Sequence, residues 1–287
     1  MTAGIAFAKG HGTGNDFVVL PDLDDALDVS PVRVRALCDR HTGIGADGVL
    51  VVRRTANDPQ VADQAERAEY FMDYRNADGS VAQMCGNGAR VFATHLVEAG
   101  LAWIDEPFQV ATRGGPRRVL VAEDGTVTVD LGAAVLLARM DIAVVVSASG
   151  AAARAVGVLM PNPHAVVWVE DLADAGSLLA PPIVTPAGAY PEGVNVEFVV
   201  PVAADHLRMR VFERGVGETL SCGTGACAAA VATLHRAGST PTGQRVRVDV
   251  PGGTVGVTWS PDSCVLDGPA VIVTRGEIDP DWWAAHG

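Results

Sequence analysis

Cys85-Gly86-Asn87-Gly88-Ala89-Arg90 and Cys222-Gly223-Thr224-Gly225-Ala226-Cys227 are two versions of one phrase, set nearly half a chain apart in a sequence of 287 residues. Each opens a Gly-rich turn that runs into an apolar, Ala-rich stretch. The first stretch covers about 89–99 and is closed by Gly100; the second covers about 225–237 and is closed by Gly238. Glycine just past the last apolar residue is a helix stop, so both stretches are predicted helices. An acceptor or charged side chain, Asn76 or Glu213, stands nine residues before each cysteine. The pattern predicts two copies of one half-site facing each other. Two matched thiols on opposite sides of a substrate suit proton removal from one face and proton return on the other.

Around these phrases the chain reads mostly as strand. The runs 17–20, 49–53, 69–74, 118–121 and 126–130 are predicted strands of a first half, with Glu123-Asp124-Gly125 as a hairpin turn. The runs 165–169, 194–200, 207–213, 245–250 and 254–259 are those of a second half, with 250–254 as another turn. A third helix is expected over 32–40. The region 131–153 is rich in Ala, Val and Gly, and the junction is placed near its start. The halves are expected at 1–132, carrying Cys85, and 133–270, carrying Cys222, with the segment from about 271 to 287 packing back on the first. The fold class is α+β, each half being many strands around a helix that begins at its own cysteine.

Bulk composition narrows the function. Hydrophobic content of 48% and charged content of 19% mark a globular chain. A net charge of −13 argues against nucleic acid and against an anionic membrane surface as partners. The start, 1–12, has neither a basic segment nor a long apolar one, so no secretory leader is read. No run reaches the length of a membrane span. Five scattered cysteines fit reduced thiols in a cytoplasm better than a disulfide framework.

Cys38, Cys227 and Cys264 are read as small buried hydrophobes. Cys85 and Cys222 are read as functional, because glycines crowd them and helices follow them. A helix N-terminus carries partial positive charge and free N–H groups; it favours thiolate and can hold a carboxylate. Zinc is not expected, since no Cys-x2-Cys or His-x3-His pair is present. A redox disulfide between Cys85 and Cys222 is a better rival. The phrase from Gly10 to Phe17 resembles a nucleotide loop but is followed by β-type residues, so Asn15 is taken as a polar ligand at a strand entrance. Asn76, Asn162 and Asn195 each sit in a turn beside a strand. With Glu213 and Arg214 they form a set suited to a zwitterionic amino acid with more than one charged end. His164, between two Pro-constrained turns, is a candidate partner for one thiol.

The phrases His11–Phe17, Asn76–Ser80, Gln83–Arg90, Asn162–His164, Gly193–Asn195, Glu213–Thr219 and Ser221–Gly225 resemble the diaminopimelate epimerase family, in that order, over most of the chain. The resemblance implies a pyridoxal-phosphate-independent epimerase with no cofactor, interconverting LL- and meso-2,6-diaminopimelate for lysine and peptidoglycan synthesis. It implies two halves, each a β-barrel-like sheet wrapped around a central helix, with the active site in the cleft between them. Residues matching Cys85 and Cys222 are the acid/base thiols, assisted by those matching His164 and Glu213. Those matching Asn15, Asn76, Asn162, Asn195, Glu213 and Arg214 bind substrate. The turn amides matching Gly86-Asn87 and Gly223-Thr224 hold the carboxylate at the reacting carbon. Two positions depart from the family: Gly48, where many members have Gln, and Pro161, where Gly is common.

Two alternatives stay open at this level. Another two-thiol racemase, such as a proline-racemase-like enzyme, and a thiol redox or binding protein both fit paired cysteines. A homodimer is also expected, with a small molecule as the partner.

Overall fold

In the computed structural model the described residues are 4–137, 141–147 and 149–287. Residues 1–3 of the start read for a leader, and residues 138–140 and 148 of the motif-poor middle, lie outside them. The chain divides into two compact units, Met1–Val129 with Pro269–Gly287, and Asp130–Gly268.

The first unit opens with strand Ile5–Gly12, which turns through Thr13 and Gly14 into Asn15–Pro21. Thr13 and Gly14 have φ of 50° and 82°, the double left-handed turn that matches strand twist. Asn15–Pro21 then pairs in parallel with Gly48–Arg54, which pairs antiparallel with Tyr70–Asn76. Tyr70–Asn76 pairs in parallel with Phe108–Ala111, and two antiparallel steps lead through Arg117–Val121 to Thr126–Asp130.

The second unit repeats that order of directions. Ala152–Leu159 pairs antiparallel with Pro163–Trp168, which runs parallel to Asn195–Ala203. Asn195–Ala203 is antiparallel to His206–Glu213, which is parallel to Gln244–Val250. Two antiparallel steps follow, to Gly253–Ser260 and Ser263–Pro269. The repeat heard in the two cysteine phrases is therefore a repeat of whole sheets.

In each unit one helix is enclosed by strands. Gly86–Glu98 packs against Ile5–Gly12, Asn15–Pro21, Gly48–Arg54, Tyr70–Asn76, Arg117–Val121 and Val271–Ile278. Gly223–Arg236 packs against the matching strands of its own unit, Ala152–Leu159 through Gly253–Ser260. Such a helix must be apolar on every side. Ala89, Val91, Phe92, Ala93 and Leu96 are fully buried in the first, and Cys227 to Ala232 in the second. The second is lined chiefly by alanine, which lets the sheet close tightly around it. Cys38, Cys227 and Cys264 are buried.

Two boundaries need correction. Both helices begin earlier than the apolar pattern indicated, at Gly86 and Gly223, so the Gly-rich phrases form the first helical turns. Glycine is a poor helix former, and the apolar signal starts only past it. The third helix is Pro31–Cys38, capped by Ser30. A fourth, Pro280–Ala285, escaped the reading because it is short; Asp279 caps it and Pro280 opens it. Trp283 seats this helix in the core of the first unit, with Val18, Leu20, Val34, Leu37 and Val51. Strand Val271–Ile278 pairs with Ile5–Gly12, returning the chain's end to its beginning.

Candidate active site

Each cysteine is the N-cap of its helix. Cys85 has φ −141° and ψ 121°, and its sulfur accepts the N–H of Gly88 at 3.3 Å. Cys222 has φ −123° and ψ 113°, and its sulfur accepts the N–H of Gly225 at 3.4 Å. The cap positions both thiols where the unpaired N–H groups of the first turn point. Asn76 and Glu213 end the strands Tyr70–Asn76 and His206–Glu213.

In the first unit the hairpin Ile5–Pro21 brings Asn15 to the thiol. Cys85 Sγ lies 3.8 Å from Asn15 Oδ1, which also accepts Asn87 Nδ2 at 3.2 Å. Asn15 Nδ2 donates to Asp47 at 2.8 Å. Arg90, fully buried, donates to Asn87 Oδ1 at 2.7 Å and to Thr13 Oγ1 at 3.0 Å. It thus ties the hairpin turn to the first turn of the helix. Gly12 is required there: a Cβ would lie 3.0 Å from the Arg90 guanidinium and 3.1 Å from Asn87 O. Asn76 holds its own turn, donating to Ser80 Oγ at 3.0 Å. A side chain at Gly48 would start 2.6 Å from Arg75 O and 2.8 Å from the Tyr74 ring, so Tyr74 covers that place.

In the second unit Glu213 hydrogen-bonds Cys222, His164 meets Asn162 and Glu197, and Asn195 meets the Arg214 backbone. His164 is fully buried in strand Pro163–Trp168 and not in a turn. Its Nδ1 lies 2.7 Å from Glu197 Oε1, and its Nε2 lies 3.0 Å from Asn162 Oδ1. Both ring nitrogens are therefore engaged, and it is Glu213 that hydrogen-bonds Cys222. Glu213 also accepts Thr219 Oγ1 at 2.9 Å. Burial pushes the Glu213 carboxyl up, against the pull of its Thr219 and Cys222 hydrogen bonds. Asn195 Oδ1 accepts the backbone N–H of Arg214 at 2.9 Å. Gly193, with φ 82°, gives the stem of Arg214 room to pass. The Arg214 guanidinium reaches solvent, donating to Glu192 O at 2.9 Å.

At Cys222 the helix N-terminus favours thiolate but is outweighed. Burial pushes that thiol well above the usual range, and the carboxyl groups of Glu213 and Glu197 push it further. Thr224 Oγ1, 3.5 Å away, and the Gly225 N–H act in the opposite direction and lose. Desolvation at a site with two acidic neighbours exceeds what a helix end supplies.

Sequence reasoning missed Glu197, Arg90 and Asp47. For Glu197 a signal existed. It lies two residues after Asn195 in a strand, so it shares that residue's face, and the strand around it is otherwise apolar. A charged residue facing inward there is an anomaly that calls for a partner.

The tight glycines give a test. A Cβ at Gly225 would lie 2.8 Å from Glu197 Oε1, whereas one at Gly88 would meet Leu50 Cδ2 at 3.2 Å. Gly225→Ala is expected to destabilise by about 1–3 kcal/mol and Gly88→Ala by less. Denaturant unfolding of the two variants checks the order.

The diaminopimelate epimerase family model matches residues 7–137 and 156–274. The curated diaminopimelate epimerase of Streptomyces coelicolor is 55% identical over 98% of each chain. That of Thermobifida fusca is 48% identical over 95% of this chain and 97% of its own. Among solved structures, a Bacillus anthracis phenazine biosynthesis protein of the PhzF family aligns with TM-score 0.71 at 16% identity, covering 97% of this chain and 100% of its own. A hydroxyproline epimerase from Agrobacterium vitis aligns with TM-score 0.68 at 15% identity, covering 98% and 95%. At such identities those two establish the two-fold repeated α+β fold alone. The full-length relatives settle the family, and the proline-racemase-like and thiol redox alternatives give way: this chain belongs to the diaminopimelate epimerase family.

Proposed function

We propose that the chain interconverts LL- and meso-2,6-diaminopimelate by two-base proton transfer between Cys85, Cys222 and the substrate, without a cofactor. The observation that carries this reading is the matched placement of two cysteines, each capping the enclosed helix of its own half. The 55% identity to a diaminopimelate epimerase supports the choice of substrate.

The reaction removes a proton from a carbon that bears an ammonium and a carboxylate. Negative charge moves onto that carboxylate as the carbon becomes planar. The first-turn amides of Gly86, Asn87, Gly223 and Thr224 stand at the helix N-termini and receive that charge without reorganising. One sulfur, as thiolate, takes the proton; the other, as thiol, gives its own to the opposite face. Each turnover leaves the two sulfurs with exchanged protonation, and they titrate as a pair. Glu213, hydrogen-bonded to Cys222, and His164 assist that thiol. Asn15, Asn76, Asn162, Asn195 and Arg214 orient the substrate.

The reading places the enzyme in the cytoplasm, as a homodimer, on the route to lysine and peptidoglycan precursors. Among the described residues no helix is long and apolar enough to cross a membrane. The direct test is incubation with LL-diaminopimelate in deuterated water. Deuterium should enter the reacting carbon as the meso isomer appears. A protein that neither exchanges the α-proton nor forms the meso isomer is not this enzyme.

A further inference from the structure

The two halves can be compared residue by residue through their sheets. Asn15–Pro21 pairs with Gly48–Arg54 in the register Phe17 to Gly48 and Val19 to Leu50. Pro163–Trp168 pairs with Asn195–Ala203 in the register His164 to Asn195 and Val166 to Glu197. His164 thus takes the place of Phe17, and Glu197 that of Leu50. The ends of the helices agree. A Cβ on Gly88 would meet Leu50 Cδ2 first and then Cys85 Cβ and Sγ. A Cβ on Gly225 would meet Glu197 Oε1 first, at 2.8 Å, and then Cys222 Cβ and Sγ, at 3.2 and 3.3 Å. Leu50 and Glu197 therefore stand at one equivalent point, each beside its cysteine.

All four residues, Phe17, Leu50, His164 and Glu197, are fully buried. One half shows that the fold fills this place with two apolar side chains. The other half fills it with an imidazole and a carboxyl. Burying such a pair costs several kcal/mol of desolvation per ion, and an apolar pair of similar volume is often as stable or more so. Packing does not ask for it. Glu197 Oε2, moreover, has no hydrogen-bond partner among the described residues. The carboxyl is anchored on one oxygen only, by the 2.7 Å contact with His164 Nδ1.

We infer that Glu197 is a positioning residue that makes the two half-sites unequal: held by His164, its carboxyl keeps the neighbouring Cys222 a thiol, so that Cys222 enters the reaction as the proton donor of the pair. This rests on the two-base reading above and adds to it what breaks the symmetry of two similar half-sites. The pair meets through the Nδ1–Oε1 contact of 2.7 Å. The ionisable groups that face it are Cys222 and Glu213, with Tyr190, whose hydroxyl donates to His164 O at 3.5 Å. The upward direction of the Cys222 shift, with burial as the leading cause and the Glu213 and Glu197 carboxyls next, agrees with this arrangement.

The test reads the thiols one by one. Alkylation by iodoacetamide is followed against pH, with Cys85 and Cys222 distinguished by peptide mass spectrometry. In Glu197→Gln, which keeps shape and removes charge, the midpoint for Cys222 should fall by about one pH unit, roughly tenfold more thiolate at a given pH, while that for Cys85 stays. Glu197→Asp, which keeps the charge, should titrate close to the native protein. The double variant His164→Phe, Glu197→Leu copies the other half; it should fold and show the same fall at Cys222. Turnover of Glu197→Gln should drop in kcat by about tenfold with KM within about twofold. An unmoved Cys222 midpoint in folded Glu197→Gln overturns the inference, as does an equal shift at both cysteines. Failure of both the Gln variant and the double variant to fold overturns it too, because the pair is then structural. Absence of turnover in the native protein would instead sink the two-base reading, which the thiol titration does not depend on.

Discussion

Cys85→Ser and Cys222→Ser should each lose at least about 10³-fold in epimerisation while the protein stays as stable as the native form or becomes slightly more so. The two effects separate because the proposed mechanism gives each cysteine two jobs. As an N-cap it accepts one backbone N–H, from Gly88 or Gly225, across a long sulfur contact. Serine does that job better, being among the preferred N-cap residues. As a proton carrier it must exchange a proton near neutral pH, and an alcohol is far too weak an acid for that. Alanine serves as the contrast. It should lose activity as completely and also lose about 0.5–2 kcal/mol of stability with the cap. Turnover with LL-diaminopimelate and thermal unfolding, measured on the same four variants, decide the matter. A serine variant within tenfold of native activity would refute the two-base mechanism. A serine variant that loses activity only because it unfolds would leave the cap, not the chemistry, as the role of the thiol.

The cysteine phrases were legible because their chemistry is local. A glycine-flanked cysteine before an apolar run states a helix start, and saying it twice states a repeat. Asn15, Asn162, Asn195, Glu213 and Arg214 were legible as turn or strand-end residues, and the sheets bring Asn15 to Cys85, Glu213 to Cys222, Asn162 to His164 and Asn195 to the Arg214 backbone. What the sequence hid was the cost of burial. Cys222 and Cys85 look alike in the chain, yet one lies among carboxyl groups and the other beside Asn15 and Leu50. That difference comes from strand register, which pairs residues dozens of positions apart. His164 reads in the chain as lying between two Pro-constrained turns; Pro163 instead opens a strand whose register with Asn195 buries the ring. The strands Ile5–Gly12, Ala152–Leu159 and Val271–Ile278 went unread because their alternation is weak: glycine, alanine and exposed positions interrupt it. The C-terminal helix of six residues is too short for periodicity to show, although Asp279-Pro280 marks its start.

The native enzyme should favour an L-configured distal centre over a D-configured one by roughly 10⁴-fold in kcat/KM, and Arg214 is expected to carry much of that preference. Its guanidinium is built to be handed over. Its side chain is 41% exposed, and its carboxylate neighbour Glu192 is 4.0 Å away and itself 90% exposed, a pair worth little in water. A substrate carboxylate arriving in two-pronged geometry displaces that contact at small cost. The stem is fixed from behind by the passage over Gly193, and the backbone N–H by Asn195 Oδ1. The same bond leaves Asn195 with its Nδ2 to donate, and Asn162, whose Oδ1 faces His164, is left likewise. These amides therefore present donors that suit a second oxygen of the distal carboxylate. A D-configured distal centre exchanges carboxylate and ammonium, so that donors face a donor and each buried mismatch costs about 1–3 kcal/mol. Arg214→Lys should lower kcat/KM by roughly 10²-fold, because an ammonium offers a point charge in place of a fork. The measurement compares LL-, meso- and DD-diaminopimelate with L-lysine, which lacks the distal carboxylate, on the native protein and on Arg214→Lys. If the DD isomer or L-lysine is turned over at a rate near that of the LL isomer, Arg214 and its amides are not the distal site.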